Sequence, residues 1–228
     1  MGQIHSTTLR PKLSTRILSH FSDQLIEATG SEHNEELYLL YCKGRYQLVT
    51  EKVIYSFEDR YDNFVTAFQH IDLNIINKIL ILGYGLGSIP AIFENIYHQT
   101  YNYTAVEIDP EIIRLALKYT IPELKSPVDL IESDAFTYIK YEDQYYDLIC
   151  FDLFINDVVP KKFLTDKFIQ QIKNRLSKNG VVIINMLYQS QNDYDTTDSF
   201  IEIVIKPIFQ KTKTVFVRNN LMIFGWNE

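Results

Sequence analysis

Four short segments carry side chains whose chemistry stands out, and each closes an apolar run. The first is Gly83-Tyr84-Gly85-Leu86-Gly87-Ser88, directly after KILIL. Glycines at that spacing let a strand turn sharply into a helix and bring backbone N–H groups against a ligand with no Cβ in the way. The pattern is G-x-G-x-G; a dinucleotide fingerprint would put its third glycine at position 88, which is Ser88. The second segment ends at Glu107, about 20 residues beyond Gly87, where a carboxylate accepts ribose hydroxyls. The third ends in Asp134-Ala135-Phe136, with Asp134 suited to accept the exocyclic amine of an adenine and Ala135 and Phe136 beside the ring. The fourth ends at Asp152. Any one of these carboxylates alone is more often a helix N-cap than a ligand group. Glycine, acid, acid and acid at the ends of four successive strands mark a nucleoside site, because ligands of open α/β sheets bind outside the carboxyl ends.

The elements that must hold them alternate. KILILGYG, TAVEID, VDLIESD, YDLICFDLF and VVIINML read as strands. Between them SIPAIFENIYHQ, PEIIRLALKYT, AFTYIKYED and LTDKFIQQIKNRLSKNG read as helices, the last closed by Gly180. Strands apolar on both faces alternating with helices predict a mostly parallel sheet covered on both sides. After SFIEIVIKPIF, another helix, Asn219-Asn220 between apolar runs predicts a C-terminal antiparallel hairpin. Upstream, Lys43-Gly44-Arg45 separates two β-rich runs, with a third around Val53–Phe57, which predicts a small antiparallel module. Leu18, Phe21, Leu25 and Ile26 fall at helical spacing. The expected organisation is an N-terminal segment with a helix (1–34), a small β module (35–60) and a Rossmann-like nucleoside-binding domain (61–228).

The chain has 228 residues, 46% hydrophobic and 22% charged, with a net charge of −7. That is globular composition, and the acidic balance argues against broad phosphate-backbone or polybasic membrane binding. No apolar run approaches the roughly 20 residues of a membrane span. Two cysteines, Cys42 and Cys150, are too few for a disulfide framework, and the five histidines show no metal-ligand spacing. Met1-Gly2 with Ser6 fits the loose N-myristoylation pattern, as does any Gly2 chain with serine there; a cytoplasmic location is the expectation. The loop Asn156–Pro160 after the fourth strand is placed to cover the site.

The stretch from Lys78 to about Leu187 resembles the S-adenosylmethionine-dependent methyltransferase fold. VEIDPEIIRLALKY, ESDAFTYI, YDLICFDLF and VPKKFLTDKFIQQIKNRLSKNGVVIIN make it similar to the spermidine synthase (polyamine aminopropyltransferase) group. The upstream VIYSFEDRYDNFVTAF extends the resemblance over roughly 36–187. It implies a transferase using S-adenosylmethionine or its decarboxylated form as co-substrate, without a metal. Gly83, Gly85 and Gly87 would line the methionine and ribose portion, Glu107 the ribose, and Asp134 with Ala135 the adenine. Asp152 would be the catalytic aspartate that helps deprotonate an attacking amine. The expected partners are a small-molecule acceptor, polyamines among the candidates, and a second copy of the chain as a homodimer, but no nucleic acid and no membrane. The chain departs from the family at three places. Leu86 and Ile155 stand where the family carries aspartates, and Phe64-Val65 where it carries a tyrosine with histidine or glutamine. A methyltransferase for an unknown small molecule, or a non-catalytic nucleoside-binding relative, is therefore an alternative reading.

Overall fold

The structure, a computed structural model, describes residues 11–50, 54–155 and 158–228. The Met1–Ser6 pattern, and Asn156 and Asp157 of the covering loop, lie outside the described residues. Seven strands form the main sheet: β5 (Lys78–Leu82), β6 (Asn102–Glu107), β7 (Val128–Glu132), β8 (Tyr146–Phe151), β9 (Leu176–Leu187), β10 (Lys211–Val217) and β11 (Asn220–Trp226). Their order is β10-β11-β9-β8-β5-β6-β7, all parallel except β11, which runs against both neighbours. This is the Rossmann-like arrangement with a C-terminal antiparallel hairpin that the strand–helix rhythm predicts.

Because side chains alternate across a strand, β5 feeds two cores. Ile79 and Ile81 enter one with Phe64, Phe68, Phe93 and Leu39; Leu80 and Leu82 enter the other with Phe151, Phe168 and Ile184. Helices α3 (Ser88–Asn95), α4 (Pro110–Tyr119), α5 (Ala135–Tyr141) and α6 (Asp166–Asn174) fall within the expected helical segments; α2 (Asp62–Phe68) has no counterpart there, and the C-terminal helix starts eight residues earlier than SFIEIVIKPIF, as α7 (Gln191–Phe200). The last continues through a π-helical stretch, Ile201–Ile205. Successive strands β5, β6 and β7 build outward on one side, and β8 then returns to the other side of β5. Such a reversal opens a crevice at the strand ends.

The N-terminal module is a four-stranded antiparallel sheet, β1 (Gln24–Thr29), β2 (Leu37–Cys42), β3 (Arg45–Val49) and β4 (Ile54–Ser56). Lys43 and Gly44, at φ +49° and +80°, form the tight turn between β2 and β3, as a type I′ hairpin requires. Leu37, Leu39 and Leu48 join the same core as Ile79, so the module is cemented to the main sheet.

Two helix expectations are corrected. Among the described residues up to 34, helix is confined to α1 (Leu13–Leu18); Leu25 and Ile26 lie in β1. The 18/21/25/26 spacing is accidental: Phe21 and Leu25 are exposed, and pairing with β2, bulged at Ile26, satisfies the backbone instead. Likewise Gly180 does not close α6, which stops at Asn174, but sits inside β9. Leu176, buried at 2%, extends the 168/169/172 helical spacing while its backbone already pairs with Tyr146 of β8. Periodicity alone could not see that exchange.

The module is also tied to α4 by charge. Glu27 on β1 contacts Arg114 (2.5 Å) and Lys118 (2.9 Å), and accepts a bond from Tyr119. Burial raises its pKa, but these three bonds outweigh it and hold it at about 2. A depressed carboxylate contributes stability above its unfolded pKa and loses it as pH falls through the folded value. Glu27→Gln is therefore expected to lower stability at pH 7 by about 1 kcal/mol, discounted for exposure. Denaturant titrations should show the gap to wild type closing between about pH 4 and pH 2.

Candidate active site

The glycine turn begins where β5 ends. Gly83 N–H donates to Val106 O (2.9 Å) and Asp152 N–H to Leu82 O (2.8 Å), which draws the ends of β5, β6 and β8 together. Gly83 has φ +87°, and a Cβ there would lie 2.2 Å from the Asp152 carbonyl oxygen. Gly85 and Gly87 are also left-handed, at +56° and +83°. Ser88, the residue that breaks the dinucleotide fingerprint, bonds Ser56 Oγ (2.7 Å) and accepts from Phe57 N (3.0 Å). It fastens the turn to β4.

The three acids sit at the strand ends in different states. Glu107 Oε2 accepts from Gly85 N (3.0 Å), and Oε1 accepts from Ile108 N (2.9 Å) and Asp109 N (3.2 Å). Burial nevertheless raises its pKa. Asp134 caps α5 through Phe136 N and Thr137 N, and its other oxygen pairs with Lys162. The capping role expected of a strand-end carboxylate is thus met by one oxygen, and an ion pair engages the other. Asp152 Oδ1 accepts from Asn185 Nδ2 (2.9 Å) and the Tyr61 hydroxyl (3.3 Å). Asn185 also donates to Tyr61 (3.1 Å) and accepts from Asn220 Nδ2 (2.9 Å). Burial pushes the Asp152 pKa up to about 7, aided by the Glu107 charge and opposed by the bonds from Asn185 and Tyr61.

Gly83, Gly85, Glu107, Asp134, Ala135 and Asp152 line one cavity. It encloses about 70 Å³, below the roughly 300–1,000 Å³ of a ligand site. Phe154, Ile155, Pro160 and Phe163 also line it. Gly87 is the exception among the expected site residues. It faces a separate cavity with Arg45 and Glu94, and its left-handed backbone serves the entry into α3, where it is the N-cap. On the far side of Asp152 a larger cavity, about 800 Å³, opens beside Tyr61 and Asn63. Asp152, Tyr55 and Phe154 line both.

Several site residues escaped the sequence reading. Asn185 carries a signal, being the polar residue inside VVIINML, and it is fully buried. Tyr61, Lys162 and Asn34 carry none. Asn34 donates to Asp109 (2.7 Å), accepts from Tyr55 (2.9 Å) and ties the module to the cavity wall. Leu86 and Phe64, two of the departures, are core residues at 1% and 0% exposure. They offer no polar group to a ligand, while Ile155 is half exposed in the wall. Among the described residues no three His, Cys, Asp or Glu side chains gather to hold a metal, and no helix is long and apolar enough to cross a membrane.

Residues 58–218 match the spermine/spermidine synthase domain family. The chain belongs to that family. It is 32% identical over 117 residues to a polyamine aminopropyltransferase of Vibrio vulnificus (strain CMCP6), an alignment covering 50% of this chain and 39% of that protein. A solved spermidine synthase in complex with the transition-state analogue AdoDATO superposes with a TM-score of 0.67 at 13% identity, covering 90% of this chain and 74% of the other. Human methyltransferase-like protein 13 in complex with SAH superposes with a TM-score of 0.58 at 24% identity, over 68% and 74% of the two chains. At these identities the solved structures speak for the fold, and they share the Rossmann-like methyltransferase architecture.

The close approach at Gly83 generates a direct test. Gly83→Ala combines a left-handed backbone with a backbone clash that no side-chain rotation relieves. It is expected to destabilise the fold by about 3 kcal/mol or more, read as a lowered midpoint in urea. A loss below about 1 kcal/mol would contradict the geometry.

Proposed function

We propose that the chain is a spermidine synthase-like transferase that binds S-adenosylmethionine or decarboxylated S-adenosylmethionine and moves an aminopropyl or methyl group to a small amine. The observation that carries this reading is the position of Asp152 between two cavities. On one side stand the glycine turn, Glu107, Asp134 and Ala135, a set suited to ribose and adenine. On the other lies a larger chamber with room for an acceptor.

The donor would supply an activated sulfonium carbon. In the transfer the amine lone pair forms the new N–C bond, the S–C bond breaks, its electron pair stays on sulfur, and one amine proton leaves. What the protein must do is hold the two partners in line and take that proton. A carboxylate with a pKa near 7 is matched to the second task, because it is a better base than an ordinary aspartate yet still ionised in part at neutral pH. Asn185 and Tyr61 hold Oδ1; among the described residues Oδ2 has no hydrogen-bond partner and is the oxygen available to an amine. Apolar Leu86 and Phe64, where the family's polar groups would be, favour methyl transfer as the second reading.

Calorimetric titration with S-adenosylmethionine, decarboxylated S-adenosylmethionine and methylthioadenosine tests the donor. Binding of one of the two sulfonium donors is expected, and binding of none of the three rejects the proposal. Asp152→Asn should abolish transfer while leaving nucleoside affinity within about threefold. The same change should stabilise the protein. A raised carboxylate pKa means stability is lost as pH rises from the unfolded pKa of about 3.9 through the folded value near 7. A neutral amide escapes that loss, so at pH 8 the melting temperature should rise by about 2–4 °C. Normal turnover in this variant rejects the base.

Rate should climb as pH passes about 7, where Asp152 ionises. Because the Asn185 bond lowers the pKa of Asp152, Asn185→Ala is expected to move that acid limb to higher pH. An unmoved limb with reduced rate would mean Asn185 is structural only.

A further inference from the structure

The chamber on the acceptor side of Asp152 has a charge pattern that the family resemblance does not anticipate. Three cations line it: Lys43 from the β2–β3 turn, Arg60 from the short 3-10 turn Glu58–Arg60, and Arg218 from the β10–β11 turn. They come from three separate parts of the chain and meet only in the folded molecule. The described acids on the same wall are Asp62 and Asp152. Asp62 is already paired with Arg218, and Asp152 is placed at the transfer point. Lys43 and Arg60 are exposed to the chamber and have no ion pair among the described residues. Asp59, the acid next to Arg60 in sequence, is turned away and engaged by both Nε and Nη2 of Arg45 at 2.8 Å.

A polyamine carries positive charge along its whole length. In this chamber its far end would meet Lys43 and Arg60, while the acids among the lining residues are Asp62, already paired with Arg218, and Asp152. An acceptor with an amine at one end and an anionic group at the other reverses that clash into attraction. Its amine would meet Asp152, and its anion would meet the guanidinium and ammonium groups, which suit carboxylate or phosphate oxygens. We infer that the acceptor is a zwitterionic or anionic small amine, held by its anionic group through Lys43 and Arg60, rather than a simple polyamine. This rests on the transferase reading above and specifies its substrate.

Putrescine and ornithine make a clean pair of probes, since ornithine has the putrescine skeleton with one added carboxylate; phosphoethanolamine supplies the phosphate counterpart. Each is titrated calorimetrically into the full chain saturated with methylthioadenosine. At least one anionic amine is expected to bind about tenfold or more tighter than putrescine. Which of ornithine and phosphoethanolamine wins separates carboxylate from phosphate. In a Lys43→Gln, Arg60→Gln double variant that preference should fall by about tenfold, with methylthioadenosine affinity and melting temperature unchanged. Equal or tighter binding of putrescine, a preference untouched by the double variant, or binding of none of the three probes overturns the inference. Failure of the transferase reading shows separately, as loss of nucleoside binding in the first titration.

Discussion

The contact on which the site depends is the closure of backbone between the ends of β5 and β8. Asp152 N–H bonds to Leu82 O, and the Asp152 carbonyl presses against Gly83, so closely that only a residue without Cβ fits. These strands are neighbours because the sheet reverses its order there. The reversal opens the crevice, the glycine permits the approach, and the acid is thereby fixed beside the turn suited to a donor. Loosen this contact and both cavities lose their common wall.

Around that contact the molecule keeps several ionisable groups out of water. Glu107 and Asp152 are both pushed toward their neutral forms by burial; the neighbouring charge of Asp109 adds to this at Glu107, and that of Glu107 at Asp152. A structure selected for stability alone would not place two acids so. The Tyr61–Asn185–Asn220 chain partly offsets the strain by donating to Asp152, yet leaves its pKa far above that of an exposed aspartate. The N-terminal module shows the opposite regime. There Glu27 meets Arg114, Lys118 and Tyr119, and ionisation works for the fold.

The three departures from the family sit in different parts of the fold. Leu86, inside the glycine turn, and Phe64 are core residues, and Ile155 lines the same cavity as Glu107 and Asp134. Cations from three turns then line the remaining chamber.

The sequence by itself determined the parallel sheet, its order of helices, the terminal hairpin and the series Gly83, Gly85, Glu107, Asp134, Asp152. Strand ends and apolar periods are local properties, readable wherever neighbours in sequence share one face. It misplaced Leu25, Ile26 and Gly180 because helical spacing of apolar residues also arises by accident, and backbone pairing with a distant strand overrides it. It grouped Gly87 with the donor-lining glycines, whereas in the structure Gly87 lines a separate cavity with Arg45 and Glu94 and N-caps α3. Tertiary structure alone decided that Asn185 and Tyr61 hold Asp152, that Lys162 engages Asp134, and that Lys43, Arg60 and Arg218 face one chamber. Those residues lie far apart along the chain, and the parallel pairing of β5 with β8 and the packing of the N-terminal sheet bring them within reach of one another.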